Sequence, residues 1–224
     1  MPEAPDEPAG GLRLGAVLLA AGGSSRMGTV KQLMDVGGRP MVARAVDAAL
    51  ASGARPVVVV LGASAEAVGA AIAGRPFVAA HNDRWEEGMA SSVRAGLAAA
   101  LAADPLLDAV LLAPCDQPGL SADVIQLLAS LHRATGRTSA AHYHGRNGAP
   151  AVFGRPSFGA LMALRGDEGA RGLLNSATER VAAVDLPELG AVFDTPADFA
   201  AWNLRRILMR SAALVRCCPP ARCR

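Results

Sequence analysis

The chain is 224 residues long, 51% hydrophobic and 19% charged, with a formal net charge of +2. That composition excludes a disordered chain and suits one domain with a substantial core, while so small a net charge gives no electrostatic ground for nucleic-acid binding. No apolar run reaches the roughly 18–20 residues needed to cross a bilayer, so no membrane contact is expected.

In chain order, Met1–Gly11 is acidic and proline-rich, the opposite of a signal peptide, and residues 1–12 are expected to form a disordered leader. Apolar runs and helical patterns then alternate. Strands are expected at Ala16–Leu19, Val57–Leu61, Phe77–Ala80 and Ala109–Leu112, and helices at Met41–Ala51, Ala65–Ala73, Ser91–Ala102 and Ala122–Ala134. The four successive valines Val57–Val60 fit a strand buried on both faces, and Gly53 suits the end of the helix before it. This alternation predicts a single three-layer α/β/α domain with a mostly parallel sheet over residues 13–203. Residues 204–224 form a basic tail, expected to be poorly ordered, that holds Cys217, Cys218 and Cys223. With Cys115 alone in the body, the four cysteines outline no disulfide or metal framework, and a cytoplasmic location is expected.

The loop after the first strand carries most of the chemistry. Leu19-Ala20-Ala21-Gly22-Gly23-Ser24-Ser25-Arg26-Met27-Gly28-Thr29-Val30-Lys31 crowds three glycines, two serines, an arginine and a lysine behind a buried strand. Such a loop can turn several backbone N–H groups to one anion, and Arg26 and Lys31 add fixed positive charge, which suits a triphosphate. The plain alternative is a strand-to-helix turn in which glycine only reverses the chain. Gly23 and Gly28 have the spacing of a Walker A loop, but Thr29 stands where that motif needs lysine. The loop has no G-x-G-x-x-G dinucleotide fingerprint either.

Further along, Pro114-Cys115-Asp116-Gln117-Pro118 places a carboxylate at the end of a strand, in a turn stiffened by two prolines. Ligands of open α/β sheets collect beyond the carboxyl ends of the strands. Asp116 therefore reads either as a local cap or as a ligand for Mg²⁺, which takes one or two carboxylates together with substrate phosphates.

These residues resemble a known family. The loop matches L-A-(A/G)-G-x-S-x-R-M-G-x-x-K at every fixed position, the signature of nucleotidyltransferases with a molybdopterin-guanylyltransferase-like fold. Ala21, and the D-Q-P formed by Asp116, Gln117 and Pro118, resemble the cytidylyltransferase branch that matures the molybdenum cofactor. The resemblance covers about residues 14–202 and implies a nucleotide-diphospho-sugar-transferase-like, Rossmann-like fold. It also implies that Leu19, Ala20, Ala21, Gly22, Gly23, Ser24, Ser25, Met27 and Gly28 contact the nucleotide. Arg26 and Lys31 would neutralise its phosphates, and Asp116 would bind Mg²⁺.

Four further runs resemble those of the family. Asn82-Asp83-Arg84-Trp85-Glu86-Glu87-Gly88-Met89-Ala90-Ser91-Ser92 fits the family's N-x-x-W-x-x-G-M-x-x-S. Ser91 or Ser92 is expected to cap the helix that continues to Ala102, and the resemblance adds Gly88 and Ser92 as nucleotide contacts. Gly148-Ala149-Pro150 stands where relatives have G-H-P, which implies acceptor contacts at Gly148 and Pro150 and a departure at Ala149. Gly166-Asp167-Glu168-Gly169-Ala170-Arg171 fits G-D-x-G-A-R: Asp167 is expected either to cap the following helix or to touch the acceptor, and Arg171 to grip an anionic one. Finally, Asp194-Thr195-Pro196-Ala197-Asp198-Phe199 resembles D-T-P-E-D-L. Pro196 suits a first helical turn, and Asp194 is implied as a second Mg²⁺ contact, although Val192 replaces an aspartate common in relatives.

The implied reaction moves CMP from CTP to the phosphate of a molybdopterin-type cofactor with release of pyrophosphate. The attacking oxygen is already anionic, so catalysis would rest on positioning and charge neutralisation. A molybdenum hydroxylase or its maturation chaperone would be the protein partner. Three alternatives stay open: the same chemistry on another phosphorylated acceptor, a pigment-reducing oxidoreductase of the same fold group, and a non-catalytic protein that delivers cofactor to a molybdenum hydroxylase.

Overall fold

Four apolar runs become the parallel part of one sheet. In the computed structural model, which describes residues 11–23, 29–176 and 180–190, these are β1 (Leu14–Leu19), β2 (Val57–Leu61), β3 (Val78–His81) and β4 (Ala109–Pro114). Most of the expected leader, positions Ser24 to Gly28, Asp194 and the cysteine-bearing tail lie outside the described residues. The strands are connected by α1 (Met41–Ala51), α2 (Ala65–Ala71) and α3 (Met89–Ala103), and α4 (Ala122–Thr135) follows β4. Gly53 follows α1 at φ +88°, the left-handed conformation that glycine adopts without a Cβ penalty.

Alternation along each strand divides the core into two layers. Leu18, Val57, Val59 and Leu111 pack with Val46 of α1, Val68 of α2 and Ile125 of α4. Val17, Val58, Val60 and Val110 pack on the other face with Val93 and Leu97 of α3. Gly96 lets α3 lie close to the sheet, because a Cβ there would stand 2.8 Å from Val60 Cγ2 and closer still to Val17 Cγ1.

The sheet then continues beyond what the apolar pattern outlines. β5 (Thr138–Tyr143), β6 (Arg146–Gly154) and β7 (Val181–Asp185) extend it to seven strands in the order β3-β2-β1-β4-β6-β5-β7. β6 runs antiparallel to both β4 and β5, whereas β7 is parallel to β5. His144 and Gly145, both at positive φ (53° and 72°), form a two-residue turn whose twist suits a hairpin. Between Ala140 and Ala141 the pairing jumps from Ala151 to Gly148, leaving Ala149 and Pro150 in a bulge. Proline is tolerated there because the position owes no ladder N–H. Two short helices, α5 (Phe158–Ala163) and α6 (Arg171–Leu174), cover the same face as α3.

The connections set the position of the site. From β1 the chain moves to β2 on one side and returns through β4 on the other. A crevice therefore opens beyond the carboxyl ends of β1 and β4, where the strand order reverses.

Candidate functional site

β1 and β4 end together, Leu19 opposite Pro114. The loop start Ala20–Gly23 thus lies beside the Pro114–Pro118 turn, and the Cys115 N–H donates to the Leu19 carbonyl at 3.2 Å. Three neighbours hold the loop start. The Ala63 N–H donates to the Ala21 carbonyl at 3.1 Å. Gln32 Nε2 donates to the carbonyls of Ala20 (3.1 Å) and Gly22 (2.8 Å). The Trp85 ring covers Gly23, where a Cβ would stand 3.1 Å from Cζ3. Lys31, half-buried, opens the short 3-10 turn Lys31–Leu33 that carries Gln32.

On the β4 side, the half-buried Asp116 lines a cavity of about 990 Å³. Behind it, burial pushes the Cys115 thiol far up and the Asp116 charge adds to the effect, so this cysteine stays a neutral thiol rather than a nucleophile. Gln117, 4% exposed, donates through Nε2 to Tyr143 Oη (3.2 Å), the Ala149 carbonyl (2.8 Å) and the Leu189 carbonyl (3.1 Å). It ties the β4 turn to the β6 bulge and to the segment after β7, a role its place in the motif does not reveal.

The Asn82–Ser92 run is built differently from the expectation. Neither serine caps α3, which begins earlier, at Met89, with no side-chain cap. Instead both hydroxyls accept from Asn82 Nδ2, at 2.8 Å for Ser91 and 3.0 Å for Ser92, while Ser91 Oγ donates to the Gly88 carbonyl at 2.8 Å. A buried amide at the end of β3 needs partners more than the helix start needs a hydroxyl. Gly88 sits at φ +104°, and a Cβ there would stand 2.5 Å from Asp167 Oδ1 and from the Gly166 carbonyl. Gly88 therefore packs against the Gly166–Ala170 loop, and neither it nor Ser92 lines the cavity.

That packing also corrects the expected cap at Asp167. α6 starts at Arg171 behind Ala170 with no side-chain cap, and Asp167 is turned to the start of α3. Both Asp167 and Arg171 line the cavity. Gly148 and Pro150 do not: they are buried, Gly148 directly under the Tyr143 hydroxyl, and Ala149 faces the cavity instead. Tyr143 Oη donates to the Ala149 carbonyl at 2.8 Å.

Arg146, on the β5–β6 hairpin, adds a second exposed cation to the cavity lining. It belongs to no motif, and its position beside the hairpin glycine would have been the only signal. Asn175 holds the Arg171 end of α6 to this hairpin by donating to the carbonyls of Arg171 and Asn147, both at 2.9 Å. Leu19, Asp116, Asp167 and Arg171 thus share one cavity whose walls are otherwise largely apolar, among them Met89, Val93, Leu164 and Leu173. Among the described residues no three His, Cys, Asp or Glu side chains cluster as a metal site. Asp116 fits the single-carboxylate mode in which Mg²⁺ relies on substrate phosphates and water for its remaining ligands.

The chain is similar to known proteins over most of its length. A family model described as MobA-like NTP transferase domain matches residues 16–184. The chain is 39% identical over 166 residues to nicotine blue oxidoreductase of Paenarthrobacter nicotinovorans, covering 69% of this chain and 78% of that protein. It is 34% identical over 200 residues to the purine catabolism protein PucB of Bacillus subtilis strain 168, covering 82% and 92%. Rv0371c from Mycobacterium tuberculosis H37Rv has the same fold, with a TM-score of 0.70, 30% identity and coverage of 89% of this chain and 99% of that one. A manganese complex of Rv0371c gives a TM-score of 0.70 at 28% identity, covering 84% and 97%.

Proposed function

Because the chain belongs to the MobA-like NTP transferase family, we propose that it moves CMP from CTP to the phosphate of a molybdopterin-type acceptor and releases pyrophosphate. The observation that carries this reading is the meeting of the loop start and the Asp116 turn at the paired ends Leu19 and Pro114, beside one cavity of about 990 Å³.

In the reaction an acceptor phosphate oxygen attacks the α-phosphorus. The bond from that phosphorus to the bridging oxygen breaks, and pyrophosphate leaves with the electron pair. The attacking oxygen is already anionic, so no general base is required. Lys31 neutralises charge on the phosphates, and the backbone from Ala20 to Gly23 holds the departing β and γ groups. Asp116 holds a divalent cation, Mg²⁺, which when bound offsets charge developing on the phosphate oxygens. The manganese complex of Rv0371c supports a divalent ion in such a protein. Arg146 and Arg171 meet the anionic groups of the acceptor, whose body packs on the apolar wall. Arg26 and Asp194 keep the phosphate and metal roles that the motifs assign to them.

The test is pyrophosphate release by the full chain with Mg²⁺, each nucleoside triphosphate in turn, and a molybdopterin-type acceptor. Release with CTP alone, and only when the acceptor is present, is expected. Nucleotide binding without release under any combination would overturn catalysis in favour of cofactor delivery. A second reading draws on the nicotine blue oxidoreductase relative and on the apolar cavity wall, which suits a flat pigment. NAD(P)H consumption with a quinoid pigment, in the absence of any nucleotidyl transfer, would establish it.

A further inference from the structure

We propose that Gln32 is a positioning residue for the nucleotide: its side chain turns the N–H groups of Ala21 and Gly23 toward the triphosphate. This inference rests on the reading of Ala20–Gly23 as a phosphate-binding loop and assigns the residue that shapes it.

The argument starts from peptide geometry. In a trans peptide the carbonyl of one residue and the N–H of the next point in opposite directions, and among the described residues cis bonds occur only before Pro56 and Pro150. Gln32 is 5% exposed, and its Nε2 donates to the Ala20 carbonyl at 3.1 Å and the Gly22 carbonyl at 2.8 Å. Both carbonyls are thereby drawn to one side of the loop, which turns the N–H groups of Ala21 and Gly23 to the other. The intervening Ala21 carbonyl is held separately by the Ala63 N–H at 3.1 Å. No backbone carbonyl of the described residues accepts from the N–H of Ala21 or Gly23.

A single planar amide with two donors is suited to this task. It holds two carbonyls that are two residues apart, a spacing at which an extended chain presents its carbonyls on the same side. A hydroxyl has one hydrogen to give, and an aliphatic side chain has none. Without the amide the loop start would keep its contacts with Ala63 and Trp85, but peptides 20–21 and 22–23 would be free to rotate. The adjacent Lys31 gains as well, since anchoring Gln32 fixes the short turn from which Lys31 departs.

The test uses pyrophosphate with Mg²⁺ as the probe, so neither base nor acceptor contributes, and calorimetry gives its affinity for the full-length wild type and for Gln32→Met. Methionine keeps the volume and length of glutamine while removing both donors. Affinity is expected to fall roughly 10–100-fold, the loss of one or two hydrogen bonds to a charged group. In turnover assays the loss should fall on the KM for the nucleotide more than on kcat. A purely structural role would instead lower the melting temperature and leave the affinity of the folded protein unchanged. The second measurement needs no variant: in ¹⁵N-labelled wild type, the amide resonances of Ala21 and Gly23 should shift as pyrophosphate is added, and that of Ala20, bonded to the Val60 carbonyl at 3.0 Å, should not. If the wild type binds pyrophosphate but Gln32→Met binds it equally well, or the two amides stay still, the Gln32 assignment fails and the nucleotidyltransferase reading survives. If the wild type binds no pyrophosphate, both fail.

Discussion

Asp116 and Lys31 are described side chains that act at the nucleotide's phosphates in the proposed reaction. Replacing either with alanine should lower pyrophosphate release by about 10²–10³, the scale on which a positioned charge stabilises a transition state. Both are half-buried, so the fold should persist, as judged by an unchanged circular dichroism spectrum; turnover near the wild-type rate in a folded Asp116→Ala protein would remove it from the mechanism. Gly88 behaves oppositely. Alanine there meets both a φ of +104° and the Gly166 carbonyl, and should destabilise the protein by about 1–3 kcal/mol in urea unfolding. Cys115 should escape alkylation in the native state and react only after unfolding. Because its pKa is raised by burial, the stabilisation from keeping it neutral is full below the unfolded thiol's pKa of about 8.5 and declines as pH rises above that value. The place of Asp116 just beyond a strand end was legible from its turn. Gln117 as a brace was not, since one of its acceptors, Leu189, lies 72 residues away.

At the scale of elements, the β5–β6 hairpin and the α3 start both line the cavity, and each is held by a buried amide. Asn82 bonds both serine hydroxyls of α3, and Gln117 bonds the β6 bulge. Tyr143→Phe removes one hydrogen bond to the Ala149 carbonyl and one partner of Gln117. It should cost about 1 kcal/mol in stability and raise the KM for the acceptor while leaving that for the nucleotide within twofold or so. A rise confined to the nucleotide would place the acceptor elsewhere. The first four strands and helices were legible because their apolar periods are local. β5 and β6 escaped that reading because they carry Thr, Ser, His, Arg, Asn and Pro, with a bulge that breaks the alternation.

For the whole molecule, the sheet separates stability from chemistry. The two apolar layers lie between helices and strands, while the loops beyond β1 and β4 hold the candidate site. Chelation should therefore abolish pyrophosphate release and leave the melting temperature almost unchanged, with activity restored by added Mg²⁺. Release at the full rate in excess chelator would exclude a metal-dependent reaction.

The sequence by itself determined the parallel part of the sheet, the helices around it, and the placing of the glycine loop and Asp116 at strand ends. Those features follow from spacing within about ten residues, where hydrophobic periodicity and turn chemistry act. Only the tertiary structure decided that Ser91 and Ser92 serve Asn82, that Gly88 receives the Asp167 loop, that Gly148 lies beneath Tyr143, and that Gln32 grips two carbonyls of the loop. Each of these is a choice of partner for a buried polar group or a choice of backbone approach. Such choices are settled by which segments the fold brings together, because a buried donor takes the nearest acceptor in space.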